Sequence, residues 1–172
     1  MTARVPVTVS HLELVGPTAL RPSTASSDGA VLRRMQPPEA AAVAASMYRS
    51  VGGDWHWQDR LPWTAEDWAS EIHRDGVEIW LLSDGAADVG YCELELLGDV
   101  VEIKYFGLTA AGMGRGLGGW LLTRSVQRAW ELGAARVILN TCTLDGPAAL
   151  PNYLARGFRL VRVEHQLREL RQ

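Results

Sequence analysis

The sequence predicts an α/β (α+β) fold: a mixed, mostly antiparallel central sheet flanked by helices, with one parallel pair of strands beside a glycine-rich junction. Three observations predict it. Val77 to Leu108 holds three consecutive apolar-rich runs, VEIWLLS, DVGYCELELL and VVEIKYFGL, separated by Asp-Gly-Ala and Gly-Asp turns, which is the pattern of neighbouring antiparallel strands. The third run leads through a glycine cluster into a long amphipathic helix. ARVILNTC, after that helix, reads as a buried strand, and strand, crossover helix, strand demands a right-handed parallel pairing.

The elements follow in order. Val5 to Val15 alternates as an edge strand, and Gly16 to Ala30, rich in Pro, Ser and Thr, reads as a tether. Residues 1–30 are therefore expected to be peripheral and residues 31–172 to form a single domain. Pro38 to Ser50 is an amphipathic helix with Val43, Met47 and Tyr48 on one side, stopped by Gly52 and Gly53. DWHWQDRLPW, Asp54 to Trp63, has three of the seven tryptophans and no helical or strand period, so it is a loop. Thr64 with Asp67 resembles a capping box opening a helix that carries Trp68 and Ile72 and closes at Gly76. The long helix runs from Arg115 to Leu132, with Leu121, Leu122, Val126, Ala129 and Leu132 inward, and Gly133 ends it. A short helix from Pro147 to Arg156 ends at Gly157, and FRLVRVEHQL is the last strand.

At 172 residues one domain is expected, and 47% apolar with 22% charged residues is an ordinary globular composition. A net charge of −3 without a basic run excludes a general attraction for nucleic acid or anionic membrane. No stretch approaches the roughly 20 apolar residues of a membrane span, and the N-terminus lacks signal-peptide character, so a cytoplasmic location is expected. Cys92 and Cys142 lie inside strand-like runs and read as buried free thiols. His11, His56, His73 and His165 share no ligand spacing, so no metal site is expected.

GMGRGLGG, Gly112 to Gly119, lies between a strand and a helix N-terminus, where open backbone N–H groups and the helix dipole favour an anion. Glycines let a pyrophosphate approach those groups; alternatively they only make a tight turn. Gly114, Gly116 and Gly119 also spell G-x-G-x-x-G, but Asn140 and Thr141 stand where a dinucleotide-binding unit has an acidic residue. No Gly-Lys-Ser/Thr follows, which excludes a nucleotide-hydrolysing P-loop.

Met113-Gly114-Arg115-Gly116-Leu117-Gly118 is similar to the Gln/Arg-x-x-Gly-x-Gly/Ala motif of the GNAT superfamily of acyl-CoA N-acyltransferases, differing at its first position. NYLARGF resembles the family's Tyr-x-x-x-Gly-Phe element, and VEIKYFGL its central strand. The resemblance implies acetyl-CoA as cosubstrate, its pyrophosphate on the N–H groups of Gly114 to Gly119 and its pantetheine along Phe106, Gly107 and Leu108. Arg115 is a candidate phosphate partner. Gly146 stands where many members place a CoA-contacting Asn. The activity implied is N-acetyl transfer to a primary amine, of a small molecule or a peptide.

Glu102 occupies the position of the general base in several family members, and strand alternation puts it on one face with Lys104 and Phe106. The alternative is a solvated or salt-bridged strand carboxylate. Glu93 and Glu95 are the competing bases. Tyr153 matches the tyrosine that points at the CoA sulfur, and the N–H of Leu108 would polarise the carbonyl. Trp55 and Trp57, with Asp54 or Asp59 meeting an ammonium, either wall the acceptor pocket or fill a minicore under the loop. Two other classes stay open, a non-catalytic acyl-CoA sensor and a tryptophan-based interaction module. So do the acceptor and the oligomeric state, a homodimer included.

Overall fold

The computed structural model describes residues 2–171. In chain order it forms β1 (Thr2–Val15), β2 (Val31–Met35), α1 (Glu39–Gly52), α2 (Ala65–Ile72), β3 (Val77–Ser83), β4 (Asp88–Leu97), β5 (Val100–Leu108), α3 (Leu117–Glu131), β6 (Arg136–Cys142), α4 (Ala149–Ala155) and β7 (Arg159–Arg171). The strands make one sheet ordered β2-β3-β4-β5-β6-β1-β7. Neighbours are antiparallel except β5 and β6, the pair that the α3 crossover makes parallel.

Helices cover both faces because each offers one apolar stripe. Leu122, Val126 and Ala129 of α3 pack with Leu94, Val101 and Val137, while Leu117 and Leu121 meet Leu82 and Val89. Each such leucine contributes about 1.5–3 kcal/mol of burial. On the other face, Ala40, Ala44 and Tyr48 of α1 pack with Trp68 and Ile72 of α2 and with Ile79. The capping box forms: Thr64 Oγ1 accepts from the Asp67 N–H at 3.2 Å, and Asp67 Oδ2 accepts from the Thr64 N–H at 2.8 Å. Cys92 is buried, whereas Cys142, the last residue of β6, is only half-buried.

Three differences from expectation matter. β1 is an interior strand, hydrogen-bonded to β6 on one side and β7 on the other, with Val7, Val9, Leu12 and Leu14 in the core. The tether is laid down along the molecule: the Arg21 N–H donates to the Arg156 carbonyl at 2.8 Å and the Ser23 N–H to Thr123 Oγ1 at 2.9 Å, before the unanticipated short edge strand β2. In β5, a bulge slips the register between the Glu93–Tyr105 and Leu94–Ile103 pairs. Lys104 and Tyr105 therefore both face α1 and α2, through Glu71 and Tyr48, while Phe106 turns to Tyr153 on the α3 face. The alternation that put Phe106 beside Glu102 does not survive an inserted residue.

Candidate active site

β5 and β6 pair only at Val100–Arg136, Val101–Val137 and Glu102–Ile138, yet β5 continues to Leu108 and β6 to Cys142. The unpaired lengths splay into a cleft of about 970 Å³. The Thr109 N–H donates to the Val89 carbonyl at 3.0 Å. Because N–H directions alternate along a strand, those of Leu108 and Phe106 point away from β4, into the cleft.

At one end of the cleft lie Met113, Gly114, Gly116, Leu117, Gly118 and Gly119. Gly114 and Gly116 hold left-handed backbone, φ 72° and 74°, which starts α3 at Leu117 instead of Arg115. Among the described residues no hydrogen bond takes the N–H groups of Gly114 to Gly119, so six backbone donors at and just before the helix N-terminus are left open. Arg115 is not available to them. Its guanidinium binds Asp28 at 2.7 Å and Asp84 at 2.9 Å, and the pair holds the Asp84 carboxyl down at about 2.

Glu102 and Tyr153 both line the cleft, from opposite faces of the sheet. Burial pushes the Glu102 carboxyl up; Lys104 opposes that shift, and Glu95 and Glu93 add to it. Tyr153 packs against Phe106 and Phe158 on the α3 face, and burial raises its phenol well above the usual range.

Comparison with known proteins fits this geometry. The model of the acetyltransferase (GNAT) family matches residues 43–158. The chain belongs to that family. No curated protein matches it. Among solved structures, a GCN5-related N-acetyltransferase from Sphaerobacter thermophilus is similar with a TM-score of 0.71 at 19% identity, over 99% of this chain and 54% of that one. A ribosomal-protein-S18-alanine N-acetyltransferase from Escherichia coli gives 0.58 at 15%, over 74% and 76%. An aminoglycoside acetyltransferase from an uncultured soil metagenomic sample, in complex with sisomicin, gives 0.63 at 12%, over 75% and 88%. These likenesses show the fold. The chain spans only about half the length of the Sphaerobacter protein.

In this GNAT domain the tryptophan loop packs into a small aromatic core and also lines the cleft. Trp57 packs on Tyr48 and Tyr105, centroids 5.4 and 5.1 Å away, with its ring in the cleft wall. Trp55 crosses to the β6–α4 loop, where a Cβ on Gly146 would lie 3.1 Å from its ring, so a side chain there would require the indole to shift by a few tenths of an ångström. Asp59 lines the cleft, whereas the exposed Asp54 does not. Glu93 is withdrawn from the cleft: it holds Arg60 through two bonds of 2.7 and 2.9 Å, both side chains buried. Glu95 is bound to Arg74 and Lys104 at 2.7 and 3.0 Å.

Sequence reasoning missed Arg60, whose guanidinium stacks 4.4 Å from the Tyr105 centroid and 4.6 Å from Trp63. It also missed Gln58, which pins the loop to the end of β7 by donating to the Arg171 carbonyl and accepting from the Arg171 N–H, each at 3.0 Å. Asn140 and Asn152 join the lining as well. The only signal for Arg60 was a cation inside an aromatic-rich loop, and for Gln58 there was none.

Proposed function

We propose that this chain is an acetyl-CoA-dependent N-acetyltransferase that moves the acetyl group directly to a primary amine. The observation that carries the reading is the splayed β5–β6 cleft, with open N–H groups at one end and the raised Glu102 carboxyl on one wall. Acetyl-CoA, the cosubstrate of the family, supplies an activated thioester carbon. The residues present fit it: the free donors of Gly114 to Gly119 suit its pyrophosphate, and the outward edge of Phe106, Gly107 and Leu108 suits the pantetheine amides.

The acceptor enters from the α1 and α2 face, beside Trp55, Trp57 and Asp59. An alkyl ammonium has a pKa of about 10 and must lose a proton before it attacks. Glu102 takes that proton, directly or through a water; its raised carboxyl is a better base than an ordinary glutamate. The Leu108 N–H donates to the thioester oxygen as charge grows there. As the N–C bond forms and the C–S bond breaks, the buried Tyr153 hydroxyl, held protonated, donates to the departing sulfur from the opposite face. The neighbours named for an alanine of a ribosomal protein and for an aminoglycoside bracket the acceptors to try: peptide amino termini and small polyamines.

The test follows thiol release from acetyl-CoA over a panel of such amines. Glu102→Gln is expected to lower the amine-dependent rate by about 100-fold or more, the usual share of a general base. Tyr153→Phe is expected to lower it by about 10-fold. Rates unchanged in both variants would remove these roles.

A further inference from the structure

We propose that Arg156 is the side-chain anchor for the phosphates of the coenzyme, taking the part that neither Met113 nor Arg115 can play. The inference rests on the acetyl-CoA reading above and adds a residue to it. Arg156 caps the C-terminus of α4, and its guanidinium leans on the first turn of α3: a Cβ placed on Gly119 would lie 2.5 Å from Nη1. Ser23 of the tether closes the same spot, its Oγ 3.0 Å from that position.

Among the described residues nothing pairs with the Arg156 side chain. It has no salt bridge and no side-chain hydrogen bond, and its Nε is buried without any partner. The neighbouring cations are committed: Arg115 holds Asp28 and Asp84, and Arg124 lies over Trp120 and bonds Gln127. The unpaired guanidinium lies against the first turn of α3 at Gly119, near the positive end of the helix dipole and the open N–H donors, a placement that is unfavourable by itself. An anion between the two relieves both. The planar fork of arginine suits a phosphate, and Gly119, with no Cβ, leaves the guanidinium room beside the helix.

CoA carries phosphate in two places, the pyrophosphate and the 3′-phosphate, and either would meet this cation. The experiment titrates CoA and 3′-dephospho-CoA into the wild type and Arg156→Gln, with the Tm of each apoprotein measured alongside. The variant is expected to bind CoA about 10-fold or more weakly, with an apo Tm equal to or above that of the wild type, since an uncompensated cation has been removed. A deficit that vanishes with dephospho-CoA assigns Arg156 to the 3′-phosphate; one that persists assigns it to the pyrophosphate. CoA binding within about twofold of the wild type, or a lowered apo Tm with an unchanged CoA-induced shift, overturns the proposal. Failure of the wild type to bind either compound refutes the coenzyme reading itself. If Arg156→Gln does not fold, Arg156→Met keeps the apolar stem and is read in the same way.

Discussion

Burial raises the Glu102 carboxyl above the ordinary glutamate value of 4.5, and Lys104 offsets only part of that shift. The base must be ionised to act, so kcat/KM is expected to fall as pH drops through this raised value, placing the acid limb above 4.5. The same shift has the opposite sign for stability. A carboxyl raised in the folded state stabilises it below its unfolded value, and that contribution is lost as pH rises through the folded one. Urea unfolding at neutral pH should therefore find Glu102→Gln at least as stable as the wild type; a large loss would show that the carboxylate is structural. Arg60→Ala, by contrast, leaves Glu93 buried and unpaired, which is expected to cost about 3–5 kcal/mol in the same measurement. That Glu102 and Tyr153 would share one cleft was legible because each sits at a fixed offset inside a local motif. The commitment of Glu93 was not, since its partner lies 33 residues away in a loop without period.

Among the elements, the glycine turn into α3 does the most with the fewest residues. Gly116 combines φ 74° with an Ala25 Cβ only 3.0 Å from where its own would stand. Gly116→Ala is expected to cost about 1 kcal/mol or more in stability and to weaken acetyl-CoA binding further, because the turn aims the open N–H groups; calorimetric titration checks this, and unchanged affinity would mean those groups do not carry the coenzyme. The runs forming β3, β4 and β5 and the helix α3 were readable from period and turn residues alone. The bulge in β5 was not. An extra residue leaves no mark in composition, yet it decides that Tyr105 faces α1 while Phe106 faces Tyr153.

For the whole molecule, the N-terminal thirty residues matter more than their sequence suggests. β1 bridges β6 and β7, so a chain beginning at Val31 would lose the strand between them and expose Val137 and Leu139. Such a truncation is expected to be insoluble or to lack a cooperative thermal transition by circular dichroism; a folded product would show that β1 is dispensable. Alternation in Val5 to Val15 identified the strand, but its two neighbours come from residues more than a hundred positions away, so its interior place was invisible to a local reading. The account depends most on the cleft that the splayed strands leave open. Acetyl-CoA binding followed by tryptophan fluorescence tests it directly, because Trp55 and Trp57 both line that cleft. Saturable binding with a change in emission, lost when Trp57 is replaced by Phe and Trp55 by Leu while affinity for the coenzyme survives, is the predicted result. The absence of any saturable binding of acetyl-CoA to the folded chain would contradict it.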